Sequence, residues 1–338
     1  MIEIREATNL EAVKELEGQW RKLEKNLFVS FDWVVSWFEC KKDSKPFVLS
    51  AWNNNQLVGI APLALENEIL VFAGQQYGNH LDFICEKQEV AKALAKKILN
   101  SSWKRVEFKH LVDEPLFLKS LKDGLILKKE QGEGSNVIHL VTMEKYYAGL
   151  KKKNRKNNRN VLSKLERAYK IETRLVGKDE FKESWNAFVE MHLGNIAAHK
   201  NKTILEQGWF QCFYKNTAQR ALAHDKLFLM ELLLDGKLTG SLFGVVQGKT
   251  LNVMNIGYLA GEEKQSIGTV LFLKAMELCC KKKIGNYDLL SGGKDYKEKL
   301  GAQEKSTLEL YLFRNKTSEK TFTLKKKVKG FGKKVLGR

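Results

Sequence analysis

Residues 227–258 contain three strand-length apolar runs cut by two turn signals, and that pattern leaves this part of the chain few ways to fold. Leu227 to Leu234 reverses at Asp235-Gly236 into Leu238 to Val246, and Gln247-Gly248 turns that run into Leu251 to Tyr258. Such runs, joined by short Gly-containing turns, predict an antiparallel meander. The third run passes through a polar loop to Gln265-Ser266-Ile267-Gly268-Thr269. A helix follows, with Leu271, Ala275, Leu278 and Cys279 at three- and four-residue spacings. A strand that opens through small residues onto a helix start leaves backbone N–H groups without intrahelical acceptors. Those groups and the helix dipole favour an anion, most naturally a pyrophosphate. Gly268 has no Cβ to hold that anion away. A short strand, Tyr287 to Leu290, then ends in Ser291-Gly292-Gly293.

The rest of the chain reads as alternating helices and strands. An initial strand, MIEIREA, precedes an amphipathic helix over Leu10 to Lys25 that carries Leu16, Trp20 and Leu23 on one face. Ser30 or Asp32 caps a second helix, on which Trp33 and Trp37 stand four apart as core residues. Pro46 to Glu66 predicts a hairpin around NNNQ, and Val90 to Leu99 a helix. Arg105 to His110 is a strand, and Leu125 to Glu130 and Asn136 to Val141 are two strands around a GEG turn. Helices over Phe181 to Asn195 and Gln207 to Ala223 lead into the meander. His192 and His199 lie seven apart with no further ligand at a suitable spacing, so no metal site is expected.

The net charge of +18 is concentrated in two stretches of the 338 residues. Lys145 to Lys178 holds twelve Lys/Arg against Glu166 and Glu172, and Arg314 to Arg338 holds ten against Glu319. Such patches face polyanions: nucleic acid, anionic lipid or phosphate-bearing substrates. Within the first stretch an amphipathic helix is expected, with Arg155 and Arg159 on one face, spaced to grip phosphates. The charged N-terminus lacks the apolar core of a signal peptide, and no apolar run is long enough to span a bilayer. Five cysteines, Cys40, Cys85, Cys212, Cys279 and Cys280, follow no C-x-x-C spacing and are expected to be core thiols in a reducing cytosol.

The meander, loop and helix together resemble the GNAT acyltransferase fold, in which a Q/R-x-x-G-x-G/A loop holds the pyrophosphate of an acyl-coenzyme A. Gln265, Ser266, Gly268 and Thr269 stand at fitting positions, while Val270 replaces the final small residue. A wider set of segments looks like the CelD-like proteins of exopolysaccharide and cellulose operons, which are related to Fem-type peptidoglycan aminoacyltransferases. These are Trp20, Leu23, Phe28 and Trp33, the LVGIAPLAL strand, Arg155 and Arg159, Ser266 to Thr269, and Tyr287, Asp288, Gly292, Tyr296 and Lys297. Ile267 departs from the S-P-G that is more frequent there. The resemblance spans about residues 15 to 312. It implies an α/β (α+β) fold of two tandem GNAT-like lobes, each a mixed, mostly antiparallel sheet flanked by helices. The expected division is 1–145 for a degenerate first lobe, 146–313 for the acyltransferase lobe with the donor loop, and 314–338 for a basic tail.

On that resemblance the expected function is acyl-coenzyme A-dependent N-acylation, with acetyl-CoA or another acyl-CoA as co-substrate. The acceptor is an amine of a cell-envelope or exopolysaccharide precursor. Tyr296 is the candidate acid for the leaving thiolate and Asp288 the group that orients the amine or takes its proton. Lys297 pairs with a phosphate, and His199, in an interhelical loop, touches substrate together with Arg155 and Arg159. The protein is expected in the cytoplasm, peripheral at the inner face of the membrane if the tail meets anionic lipid. Gly330 and Gly332 weaken that tail as a helix, and a disordered solubilising end is the alternative. Two other classes remain open: an aminoacyltransferase drawing on charged tRNA, and a non-catalytic polyanion-binding protein.

Overall fold

The computed structural model describes residues 2–120, 125–198, 202–261 and 266–335. The first half runs β1 (Glu3–Ala7), α1 (Leu10–Lys14), α2 (Glu17–Leu23), α3 (Phe31–Cys40), β2 (Lys45–Asn53), β3 (Gln56–Glu66), β4 (Ile69–Phe72), β5 (Ile84–Cys85), α4 (Gln88–Asn100), β6 (Arg105–Leu111) and β7 (Ile126–His139). The second runs α5 (Met143–Gly149), α6 (Lys152–Ala168), β8 (Ile171–Leu175), α7 (Phe181–Ala198), α8 (Gly208–Ala223), β9 (Leu227–Leu234), β10 (Lys237–Gln247) and β11 (Thr250–Tyr258). It continues with α9 (Ile267–Lys281), β12 (Asn286–Asp288), α10 (Lys294–Lys299), β13 (Gln303–Phe313) and α11 (Lys316–Val335). The fold is α/β, a mixed and mostly antiparallel sheet flanked by helices, and the meander is present as β9–β10–β11.

The sheets of the two halves join into one. Its order is β1-β2-β3-β4-β6-β13-β7-β12-β11-β10-β9-β8. β7, the last strand of the first half, pairs with β12 of the second. β13, the last strand of the second half, pairs with β6 of the first, and β7 and β13 pair with each other. Each half therefore completes its sheet with the other's strand. The GEG segment makes this possible and is not the turn the sequence suggests: β7 runs unbroken through Gly132 and Gly134. A Cβ on Gly132 would lie 2.5 Å from Thr307 Oγ1, and one on Gly134 would lie 2.6 Å from Glu304 Cγ. These glycines admit β13, whose register shifts between Lys305 and Thr307.

Aromatic packing ties the halves together on one side of the sheet. Ser30 Oγ caps α3 by accepting from Trp33 N at 3.3 Å. The buried rings of Trp33 and Trp37 meet Phe213 of α8 edge-on at 4.7 and 5.3 Å, a favoured geometry for aromatic pairs. The same contact joins Cys40 and Cys212 in a disulfide, Cα atoms 5.8 Å apart, where five free thiols were expected. Packing of α3 on α8 brings together residues 172 apart in sequence, so spacing alone could not reveal the pair. Two further expectations change. The helix over Leu10 to Lys25 breaks into α1 and α2 at Glu15–Leu16, beside the poor helix former Gly18. The tail is helical through Gly330 and Gly332, and Phe322 anchors it on Tyr311 and Phe313 at 4.8 and 5.3 Å. Among the described residues no helix is long and apolar enough to cross a membrane.

Candidate functional site

β11 and β12 pair in parallel over three rungs only: Thr250 with Asn286, Leu251 with Tyr287, and Asn252 with Asp288. Just past that point β11 carries an extra residue, because Phe243 of β10 faces Asn255 and Gly244 faces Val253, which leaves Met254 as a bulge. A bulge bends its strand and increases the local twist, and β12 itself stops at Asp288. The two strands part here, and a cavity of about 570 Å³ fills the gap.

The walls of this cavity come from both faces of the sheet. On one side lie Gly268, Thr269 and Phe272 of α9, Tyr296 and Lys297 of α10, and the loop Leu289 to Gly293. On the other lie His192 and Asn195 of α7, Tyr214 of α8, and Gln76, Tyr77 and Asn79 of the first half. α7 comes this close because β11 has Gly257 at the crossing: a Cβ there would lie 2.7 Å from His192 N.

The start of α9 opens onto the cavity. Ser266 precedes it in the left-handed conformation, φ 57°, and accepts from Thr269 N and Val270 N at 2.9 and 3.2 Å. The N–H groups of Ile267 and Gly268, the first in the helix, have no intrahelical acceptor. Ile267 and Val270, the two departures from the family pattern, are buried in the core beneath the meander. A Cβ on Gly268 would meet Ile256 Cδ1 at 3.3 Å and Tyr258 Cε1 at 3.5 Å.

Tyr296 is 43% exposed and stacks on Phe272 at 5.4 Å, and desolvation pushes its hydroxyl up to about 12. Lys297 is buried, and its Nζ donates to Leu290 O at 2.9 Å and Ser291 O at 2.7 Å. Burial lowers this ammonium to about 8, against the opposing pull of Asp288 and Glu133. Two of its three protons hold the loop, which leaves one for the cavity. Asp288 is buried and lines an adjoining cavity rather than this one. Its Oδ1 accepts from Ser135 Oγ and, at 2.7 Å, from Leu290 N, while burial raises its pKa despite those bonds.

Of the residues singled out in the sequence, Gly268, Thr269, Tyr296 and Lys297 meet at the cavity, while Ser266 precedes α9 and is not part of its walls. Arg155 and Arg159 do not. They lie on α6 outside its walls, with the Arg159 guanidinium 4.9 Å from the Tyr147 ring. Gln265 and His199 lie outside the described residues. The sequence did not single out the α7 face. His192 Nδ1 lies 2.7 Å from Ile256 O and Nε2 lies 3.2 Å from Thr203 Oγ1. A carbonyl only accepts, so Nδ1 carries the proton and Nε2 the lone pair. Desolvation lowers the pKa of His192, which keeps the ring neutral. Beside it Asn195 is 8% exposed, and its Nδ2 has no hydrogen-bond partner among the described residues.

Residues 152–298 match the acetyltransferase (GNAT) domain family. No curated protein matches the sequence. Among solved structures, FemX superposes with a TM-score of 0.67 at 10% identity, covering 95% of this chain and 99% of that one. The C-terminal domain of a putative lysylphosphatidylglycerol synthetase from Agrobacterium fabrum gives 0.61 at 11% identity, covering 94% and 96%. L-PGS from Bacillus licheniformis gives 0.57 at 14% identity, covering 95% and 97%. The fold is thus shared with these proteins over nearly the whole chain, and the GNAT match to residues 152–298 supports an acyltransferase.

Proposed function

We propose that the protein is an N-acyltransferase that takes its acyl group from an acyl-coenzyme A and passes it to an amine of a cell-envelope or exopolysaccharide precursor. The observation that carries this reading is the parting of β11 from β12 at Asn252 and Asp288, which opens a cavity onto the start of α9. An acyl-coenzyme A, when bound, supplies an activated acyl carbon. The N–H groups of Ile267 and Gly268 hold its pyrophosphate. Backbone N–H groups of β11 along the open edge stabilise the developing oxyanion, a role commonly worth two to three orders of magnitude in rate, about 3–4 kcal/mol. Tyr296, protonated throughout the neutral range, donates to the leaving sulfur. His192 Nε2 takes the proton from the amine in place of the hydrogen bond that it accepts from the Thr203 hydroxyl, and Asp288 and Lys297 fix the Leu289–Gly293 loop. The proposed division is a first lobe over 1–145, the transferase lobe over 146–313 and the tail over 314–338, which rests on anionic lipid at the inner face of the membrane.

Calorimetric titration with acetyl-CoA at two salt concentrations, for wild type and Gly268→Trp, tests the reading. Binding that survives moderate salt and is lost in the variant is expected. Equal weak binding by both proteins, removed by salt, would sink it.

A second reading has one favourable observation. α6 presents Lys152, Lys153, Lys156 and Arg159 to solvent, and the Fem-type resemblance implies an acyl group carried on tRNA. A steep loss of tRNA binding with salt would favour that donor, and a flat response would remove it.

A further inference from the structure

A second cavity, of about 430 Å³, adjoins the first. It lies between the Lys25–Phe28 and Asn79–His80 segments of the first half and one face of the sheet at β7, β11 and β12. Register places Thr250, Asn286 and His139 in one row across these strands, with Asn252, Asp288 and Val137 in the next. The alternate residues Leu251, Tyr287 and Ile138 fill the apolar core beneath α9. This sheet face is therefore polar although the first half covers it: Asn252 is 6% exposed and Asp288 4%.

Covering a polar surface costs free energy unless its groups find partners. Here several do not. Asn79 is 1% exposed and its Oδ1 has no hydrogen-bond partner among the described residues. Among the described residues Gln247 Oε1 and both ring nitrogens of His80 are likewise unpartnered. Desolvation lowers His80 to about 4, so that ring is neutral.

The kind of group missing decides the kind of ligand. Asn79 Oδ1 and Gln247 Oε1 are acceptors, so a phosphate or carboxylate, itself only an acceptor, cannot satisfy them. Charges on the walls balance, with Lys25 and Lys305 against Asp288 and Glu304. An apolar ligand would leave every one of these groups unmet. A hydroxyl both donates and accepts. We infer that this cavity is a recognition chamber for a neutral polyhydroxylated group, a sugar ring, held chiefly by Asn79, Gln247, Asn252 and His80.

Asn79 lines both cavities. A sugar in the chamber thus stands one side chain from the gap between β11 and β12, and an amino group on it reaches that gap past Asn79. This last step rests on the acyltransferase reading; the binding of the sugar does not.

The test is ligand-observed NMR saturation transfer on the full chain with D-glucosamine and, as a probe without hydroxyls, cyclohexylamine. Wild type is expected to bind glucosamine and not cyclohexylamine. Asn79→Leu and Gln247→Leu are each expected to weaken glucosamine more than tenfold. Gln247→Leu removes an unpartnered oxygen at the end of a strand, and a melting curve that matches wild type identifies it as folded. Acetyl-CoA affinity, measured separately, is expected to be unchanged in that variant. Equal binding of the two probes, or glucosamine binding that ignores both substitutions, would overturn the chamber. Loss of glucosamine binding in the variants with no acetyl-CoA binding by any protein would keep the chamber and remove the acyl-CoA reading.

Discussion

Asn252 of β11 and Asp288 of β12 form the last rung between these parallel strands, and beyond them the edge of β11 faces a cavity instead of a neighbour. β12 stops at Asp288, the register of β11 against β10 shifts at Met254 two residues beyond the last rung, and Gly257 lets α7 close the far side. Residues on both faces of the sheet thereby meet in one space.

A side chain added at Gly268 would press on Ile256 and meet Tyr258, both in the cavity wall, which makes this position the most direct probe of the α9 end of that space. Gly268→Trp is expected to weaken acetyl-CoA more than about tenfold, which is about 1.4 kcal/mol. Calorimetry beside a thermal melt checks this, and unaltered affinity in a folded variant would exclude the site.

Tyr296→Phe is expected to lower kcat about a hundredfold, within the range for a general acid, and to leave the Kd for acetyl-CoA unchanged. Because its pKa is raised to about 12, the phenol keeps its proton well above neutrality. The wild-type rate should therefore show no alkaline loss from this group below about pH 11. An unchanged kcat in the variant would assign Tyr296 to packing on Phe272.

Lys297 contributes a pH dependence to stability with a definite sign. Its folded pKa is depressed, from 10.5 to about 8. Between those values the unfolded chain binds more protons than the native one, so stability rises with pH across that window. Below about pH 8 both states are charged and the burial cost is fully present. Chemical denaturation at pH 7.5 to 10.5 should show this rise in wild type and lose it in Lys297→Met. Parallel curves would disprove the buried ammonium.

Gly134→Val should cost about 1–3 kcal/mol, as overpacking commonly does, because a Cβ there would lie 2.9 Å from Lys305 O. Were Gly134 in a solvent-facing hairpin turn, the same change would leave β13 untouched. Urea denaturation distinguishes these outcomes.

Cys40→Ser should lower stability by about 2–4 kcal/mol, the usual range for a bond that closes a long loop. Thiol titration of unfolded wild type without reductant should find Cys85, Cys279 and Cys280 free. Five reactive thiols would rule the bond out.

Much of this was legible in the sequence because it is local. Apolar runs and Asp-Gly and Gln-Gly turns specify the meander, and the periodicity after Gly268 specifies α9, since strand and helix periods are written within a few residues. Gly268, Thr269, Tyr296 and Lys297 were legible for the same reason: each lies within a turn of a strand end or helix start. Other features were decided only by tertiary structure. Gly132 and Gly134 look like a turn until β13, some 170 residues later, is laid against them. His192 looks like any inward-facing helix residue until α7 crosses β11 at Gly257. Asn79 gains its place on two cavities, and Cys40 its partner, only when the first half docks on the second. Local sequence determines which elements form and where they end. Which side chains share a cavity depends on strand exchange and on aromatic packing between halves, and those are contacts between residues too far apart for any local pattern to record.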